Sequence, residues 1–243
     1  MQQTPMVGLY KSIYHTERTT SAQLDKAIAS IAAPPRTRVH QIVNVRASIN
    51  DDQRRARKSA LPCATWAGLF DKGRKDKAHS IDSQVRYVDA DAVPADKAEL
   101  LRLEDKHPAQ AAPFRKALRE DAAITRDILA TQEWCFAAWL SASGMGVGIL
   151  ARSTNWQDVK YAVNETLEAH YRSFTVDNSA SNPARMNYLS HDDGLHYNKD
   201  AVEVPKAPTL SDPRPKPCVP SASAFDKEPI GDRVEKALAA ISH

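Results

Sequence analysis

The chain has 243 residues, with 33 Lys+Arg against 30 Asp+Glu, a formal net charge of +3 and 42% hydrophobic residues. That length suits one large domain or a domain with an appendage, and the apolar content excludes a wholly disordered chain. No run approaches the ~18 apolar residues that span a bilayer, so no membrane association is expected.

Met1 to Gly8 show no secretory signal, and Cys63, Cys135 and Cys218 are too scattered for a disulfide framework or a zinc site. A reducing, cytoplasmic setting is expected. The charge is unevenly spread. Residues 36–86 hold twelve Lys/Arg and five acids, and residues 87–133 hold ten acids and seven bases. A basic block beside an acidic one suggests a polyanion partner next to a cation site, although uneven charge also marks ordinary solvated surfaces.

In chain order, residues 6–14 alternate like a strand. Thr19, Thr20 and Ser21 offer caps for a helix carrying Leu24, Ile28 and Ile31, which Pro34-Pro35 stops. The apolar stretch 39–45 reads as a strand, 48–60 as helix-permissive, 63–70 as a strand and 71–80 as a charged loop. Residues 84–93 form the next strand, and Pro94 suits the first turn of a helix reaching about His107. A second helix is expected over 111–131. The continuous apolar run 134–140 and the segment 147–152 read as a hairpin around a glycine turn. An amphipathic helix over 155–174 and a strand over 184–189 follow. This is a mixed α/β layout resembling a split βαβ unit over one sheet. Seven of the 15 prolines lie between Pro205 and Pro229. Residues 205–243 are therefore expected to be a proline-rich linker ending in a short helix over 230–241.

Several stretches carry possible chemistry. Asp89 and Asp91 are two apart on a strand, so they share a face, and adjacent carboxylates favour a hard divalent cation. The plain alternative is a solvated strand end. Ser141, Ser143, Gly144 and Gly146 form a small-residue turn whose backbone could approach phosphates, or a glycine hairpin without a ligand. Asp177 follows a helix and could be a third acid or a turn former. Arg185 lies on the strand after it. Trp66 is the tryptophan nearest the basic block and the best candidate for stacking on a base; Trp134 and Trp139 read as core. His191 and His196 flank Asp192 and Asp193 and suggest a metal site only on paper. Cys135 reads as inert core.

Taken in order, these stretches resemble the archaeo-eukaryotic primase superfamily, and within it the VirE N-terminal-like primase-polymerases of mobile elements and phages. The resemblance covers residues 6–200 and rests also on Val7 to Tyr14 and Leu61 to Phe70. It implies an α/β (α+β) fold, with a mixed RRM-like sheet and flanking helices over residues 1–204. It implies a template-dependent nucleotidyltransferase that makes or extends primers in replication. Asp89, Asp91 and Asp177 would bind Mg²⁺ or Mn²⁺. The turn at Ser141, Ser143, Gly144 and Gly146, with Arg185, would hold the NTP or dNTP. Arg54, Arg55, Arg57, Lys58 and Trp66 would meet a single-stranded DNA template. A monomer is expected, with a helicase fused or bound in trans. Gly148 departs from the pattern, because relatives carry a His or Lys there that meets the triphosphate; Arg152 or Arg185 would compensate. The rival reading is a nucleic-acid-binding replication-initiation module without strong catalysis. A nuclease using the same acids leaves the glycine hairpin without a role.

Overall fold

The computed structural model describes residues 5–15, 17–70, 79–177 and 183–208. The protein is mixed α/β, with six helices and three antiparallel sheets among those residues. The expected helix over 230–241 and most of the charged loop over 71–80 lie outside the described residues.

The first half contains β1 (Met6–Tyr10), β2 (Thr20–Gln23), α1 (Leu24–Ala32), α2 (Arg36–Arg46), α3 (Asp51–Ser59), β3 (Cys63–Thr65), β4 (Gly68–Phe70) and β5 (His79–Asp82). The second contains β6 (Val85–Ala92), α4 (Pro94–Lys106), α5 (Pro108–Ala130), β7 (Cys135–Leu140), β8 (Gly146–Arg152), α6 (Trp156–His170), β9 (Phe174–Val176), β10 (Asn187–Tyr188) and β11 (His196–Tyr197).

Strands β11-β7-β8-β6-β9 form a five-stranded sheet, β10-β3-β1-β2 a four-stranded one, and β4-β5 a short ribbon. Along β6 the side chains alternate between two environments, as the pleat requires. Val88, Ala90 and Ala92 face Phe114, Leu118 and Val163, which come from the α5 and α6 layer. Val85 faces the other way, into a cluster with Val7, Ile28, Trp66, Trp139 and Leu150 that joins the two larger sheets. Trp66 and Trp139 meet there with ring centroids 5.2 Å apart. Tyr87, Asp89 and Asp91 share the Val85 face, so the acids lie where the inter-sheet core gives way to polar groups.

Several expectations are corrected. Residues 39–45 are helical, within α2. Ile42 and Val45 are buried and three apart, whereas Val43 is 55% exposed, and that spacing suits a helix face and not a strand. Residues 63–70 are two strands, because the chain turns at Trp66-Ala67 and Gly68 takes a φ of 145° that favours glycine. Thr20 and Ser21 pair in β2 and do not cap α1. The expected helix over 155–174 ends at His170 and gives way to β9.

Helix α3 joins the two halves. Asn50 caps it by accepting from the Gln53 amide at 2.9 Å, with Asp51 and Asp52 in the first turn and Arg57 and Lys58 in the last, as the helix dipole favours. Arg54 turns inward and pairs with Glu104 of α4 at 2.8 Å, and Arg115 of α5 pairs with the same carboxylate at 3.0 Å. Beyond the expected boundary at 204, the Ala207 amide still donates to Asp158 at 2.9 Å. No helix among the described residues is long and apolar enough to cross a membrane.

Candidate functional site

The register of three strands builds the site. On β6, Asp89 lies opposite Gly148 of β8, and Asp91 lies opposite Gly146. On the other side Ala90 lies opposite Val176 of β9, and the Asp177 amide donates to the Asp89 carbonyl at 2.9 Å. Continuing that register sets Asp177 directly across from Asp89, on the same face. Directly opposed Cβ atoms lie about 4.5–5.5 Å apart. The strand order thus brings Asp89, Asp91 and Asp177 together, with two glycines beside them.

Each carboxylate has company. Tyr87, two residues before Asp89 and on its face, donates its hydroxyl to Asp89. Lys97 holds Asp91 at 3.0 Å, and Arg185 lies 3.5 Å from Asp177. Lys58 reaches in from the end of α3 and sits 5.3 Å over the Tyr188 ring. Burial lowers its ammonium pKa against the pull of Asp91 and Asp89. Burial first, then the Asp91 charge, push the Asp89 carboxyl up to about 6. The Tyr87 phenol is raised by burial and by the Asp89 charge. Like charges held this close have a repulsion that a divalent cation relieves, and hard carboxylate oxygens suit Mg²⁺ or Mn²⁺. Asp91 and Asp177 would have to turn from Lys97 and Arg185 to share one. As they stand, no three or more His, Cys, Asp or Glu side chains among the described residues converge on a metal position.

The glycine turn adjoins the acids. The Ser141 amide donates to the Gly146 carbonyl at 2.7 Å, and the Ser141 and Ser143 hydroxyls are 3.1 Å apart. A Cβ built on Gly146 would lie 2.5 Å from Asp91 Oδ1 and 3.4 Å from Ser141 Oγ. Only glycine therefore lets the Asp91 carboxylate lie over β8.

Gly148 is equally constrained. A Cβ there would lie 2.9 Å from both the Tyr87 hydroxyl and the Trp139 ring. A side chain at 148 would therefore displace Trp139 or Tyr87. Gly148→His is expected to cost about 1–3 kcal/mol by overpacking, read as a lowered Tm; an unchanged Tm would show that Trp139 and Tyr87 can move aside. Arg152 does not compensate for Gly148. It is at the far end of β8, bound to the Lys199 carbonyl at 2.6 Å and stacked over Phe136.

The expected template-binding residues divide. Trp66 is 1% exposed and packs on Trp139, so it offers no face to a base. Arg54 is buried in its pairs with Glu104 and Asp51, out of reach of a phosphate backbone. Arg57 donates to the Asn44 carbonyl at 2.5 Å and to Ser48. Arg55 is largely exposed, and Lys58 faces the carboxylates. The His191 and His196 pairing does not form a site. Asp192 binds Arg126 at 2.9 Å and the Leu140 amide at 2.7 Å, and His196 meets the Cys135 carbonyl. Cys135 is buried, with its thiol pushed up to about 12. Tyr87 and Lys97 escaped the sequence reading. Tyr87 carried a signal, being two residues before Asp89 on the same strand; Lys97 carried none.

No family model, no curated protein and no solved structure matches the chain.

Proposed function

We propose that the chain is a metal-dependent, template-directed nucleotidyltransferase of the primase-polymerase kind. Asp89, Asp91 and Asp177 hold Mg²⁺ or Mn²⁺, and the Ser141–Gly146 turn receives an NTP or dNTP. The observation that carries this reading is the register of β8, β6 and β9, which lines the acids along one face beside two glycines. A divalent cation held there supplies charge neutralisation at the triphosphate and activation of a primer 3′-hydroxyl. Tyr87 fixes the Asp89 carboxylate, and Arg185 stands beside Asp177. The element order β6-α4-α5-β7-β8-α6-β9, with strands lying β7-β8-β6-β9, also supports an RRM-like split βαβ core. Arg55 remains a candidate for contact with single-stranded DNA.

A second reading, a replication-initiation module that binds nucleic acid without strong catalysis, is favoured by Gly148, where Trp139 and Tyr87 occupy the space of a phosphate-binding side chain. The deciding experiment incubates the full chain with single-stranded DNA, labelled NTPs or dNTPs, and Mg²⁺ or Mn²⁺. Templated products are expected. Retained DNA binding without product under either metal would select the second reading.

Protons compete with the cation at Asp89, whose carboxyl sits at about 6. Mn²⁺ affinity is therefore expected to fall about tenfold per pH unit below about pH 6. In Asp91→Asn the break moves to lower pH, because a like charge is gone. Calorimetric titrations between about pH 5 and about pH 8 check this, since Asp and Glu ordinarily titrate near 4; a flat profile would detach Asp89 from the metal.

A further inference from the structure

Beside the carboxylates, the Ser141–Gly146 turn is flanked by two arginines from distant parts of the chain. Gly144 has a φ of +74°, and a Cβ there would lie 3.3 Å from Arg46 Nε and 3.4 Å from Arg119 Cγ. Arg46 closes α2, and Arg119 comes from the middle of α5. Each is anchored through Nη2. Arg46 donates to the His191 carbonyl at 2.7 Å, and Arg119 donates to the Arg46 carbonyl. The Nε–H of each is buried and has no hydrogen-bond partner among the described residues. A buried donor on a cation is costly unless an acceptor, best an anion, completes it.

The surrounding charges leave that acceptor to a ligand. Arg119 also feels the positive charges of Arg46, Arg115 and Arg54. The acids facing Arg46 are Asp192 and Asp193. Asp192 is bound to Arg126, and Asp193 is bound to His191. Ser143, 9% exposed, shares a hydrogen bond with Ser141, whose hydroxyl borders Gly146 on the Asp91 side. A line runs from the carboxylates through the serines to the two arginines.

We infer that Arg46 and Arg119, with the Ser141 and Ser143 hydroxyls, form a polyphosphate-binding subsite that takes the terminal phosphates of the nucleotide. The assignment to a nucleotide rests on the nucleotidyltransferase reading; the affinity for polyphosphate does not. These arginines supply the cation that Gly148 lacks, from helices and not from the strand.

The test uses inorganic tripolyphosphate, without metal or DNA, titrated calorimetrically into the full chain. Arg46→Gln and Arg119→Gln are each expected to weaken binding tenfold or more, and Arg102→Gln, on the outer face of α4, to leave it unchanged. Phenylglyoxal labelling of the parent protein, mapped by mass spectrometry, avoids any folding defect in the variants. Tripolyphosphate should protect Arg46 and Arg119 but not Arg102. Unchanged affinity in both folded variants, or no selective protection, overturns the subsite. Templated incorporation that keeps the parent nucleotide KM in both variants also overturns it, while leaving the nucleotidyltransferase reading standing. Selective protection in a chain that makes no templated product supports the subsite and removes that reading.

Discussion

Replacing Asp89 and Asp91 together by asparagine is expected to lower templated incorporation by roughly 10³-fold or more, the scale on which lost electrostatic stabilisation of a transition state is felt. Asparagine keeps the volume and leaves an oxygen to accept from Tyr87. Repulsion between neighbouring carboxylates, taken alone, would leave a single-acid variant as stable as the parent or slightly more so. The structure tempers this, because Lys97 holds Asp91 and Lys58 faces both acids. Relief of repulsion is then offset by lost attraction, so the single variants should keep the parent Tm closely. Undiminished primer synthesis by the double variant would remove the polymerase reading.

The second large effect concerns Glu104. Its side chain is 3% exposed, and it bridges Arg54 and Arg115, themselves 8% and 11% exposed. Glu104→Ala leaves two buried guanidinium groups facing each other, with only Asp51, 3.0 Å from Arg54 and partly exposed, as a remaining counter-charge. Breaking a buried pair in this way typically costs about 3–5 kcal/mol. Urea denaturation at neutral pH should show the midpoint fall accordingly. A change under about 1 kcal/mol would mean that the arginines swing out to water, as exposed pairs do. Arg54 thus belongs to the stability of the domain and not to its contact with a template.

Local pattern carried the sequence reading where one face decides burial. The β6 alternation showed Asp89 and Asp91 side by side, and the periodic apolar positions of α5 and α6 were plain. It failed where the apolar signal was ambiguous. Val39, Ile42, Val43 and Val45 are β-branched and close together, and only the burial of two of them settles α2 as a helix. It also failed where the chain changes state without punctuation, as between His170 and Phe174, where Tyr171 continues the helical spacing into a turn. Within the site, Asp177 stood out through the family resemblance, whereas its place opposite Asp89 follows from the β6–β9 register. Lys58, Arg46 and Arg119 reach the site from helices remote in sequence, and no local spacing reports such long-range meetings.

Strand β9 is three residues long and lies at the edge of its sheet, and the Asp177 amide makes the ladder hydrogen bond beyond its last residue. Short edge segments open at far less free energy than the global unfolding of a domain. The third carboxylate is therefore attached by a short edge strand, while Asp89 and Asp91 are fixed on an interior strand. Hydrogen exchange at the Asp177 amide should be fast beside that of Val88 and Ile149, and should slow when a cation draws the carboxylates together. Attachment of Asp177 can thus be followed in real time without any turnover.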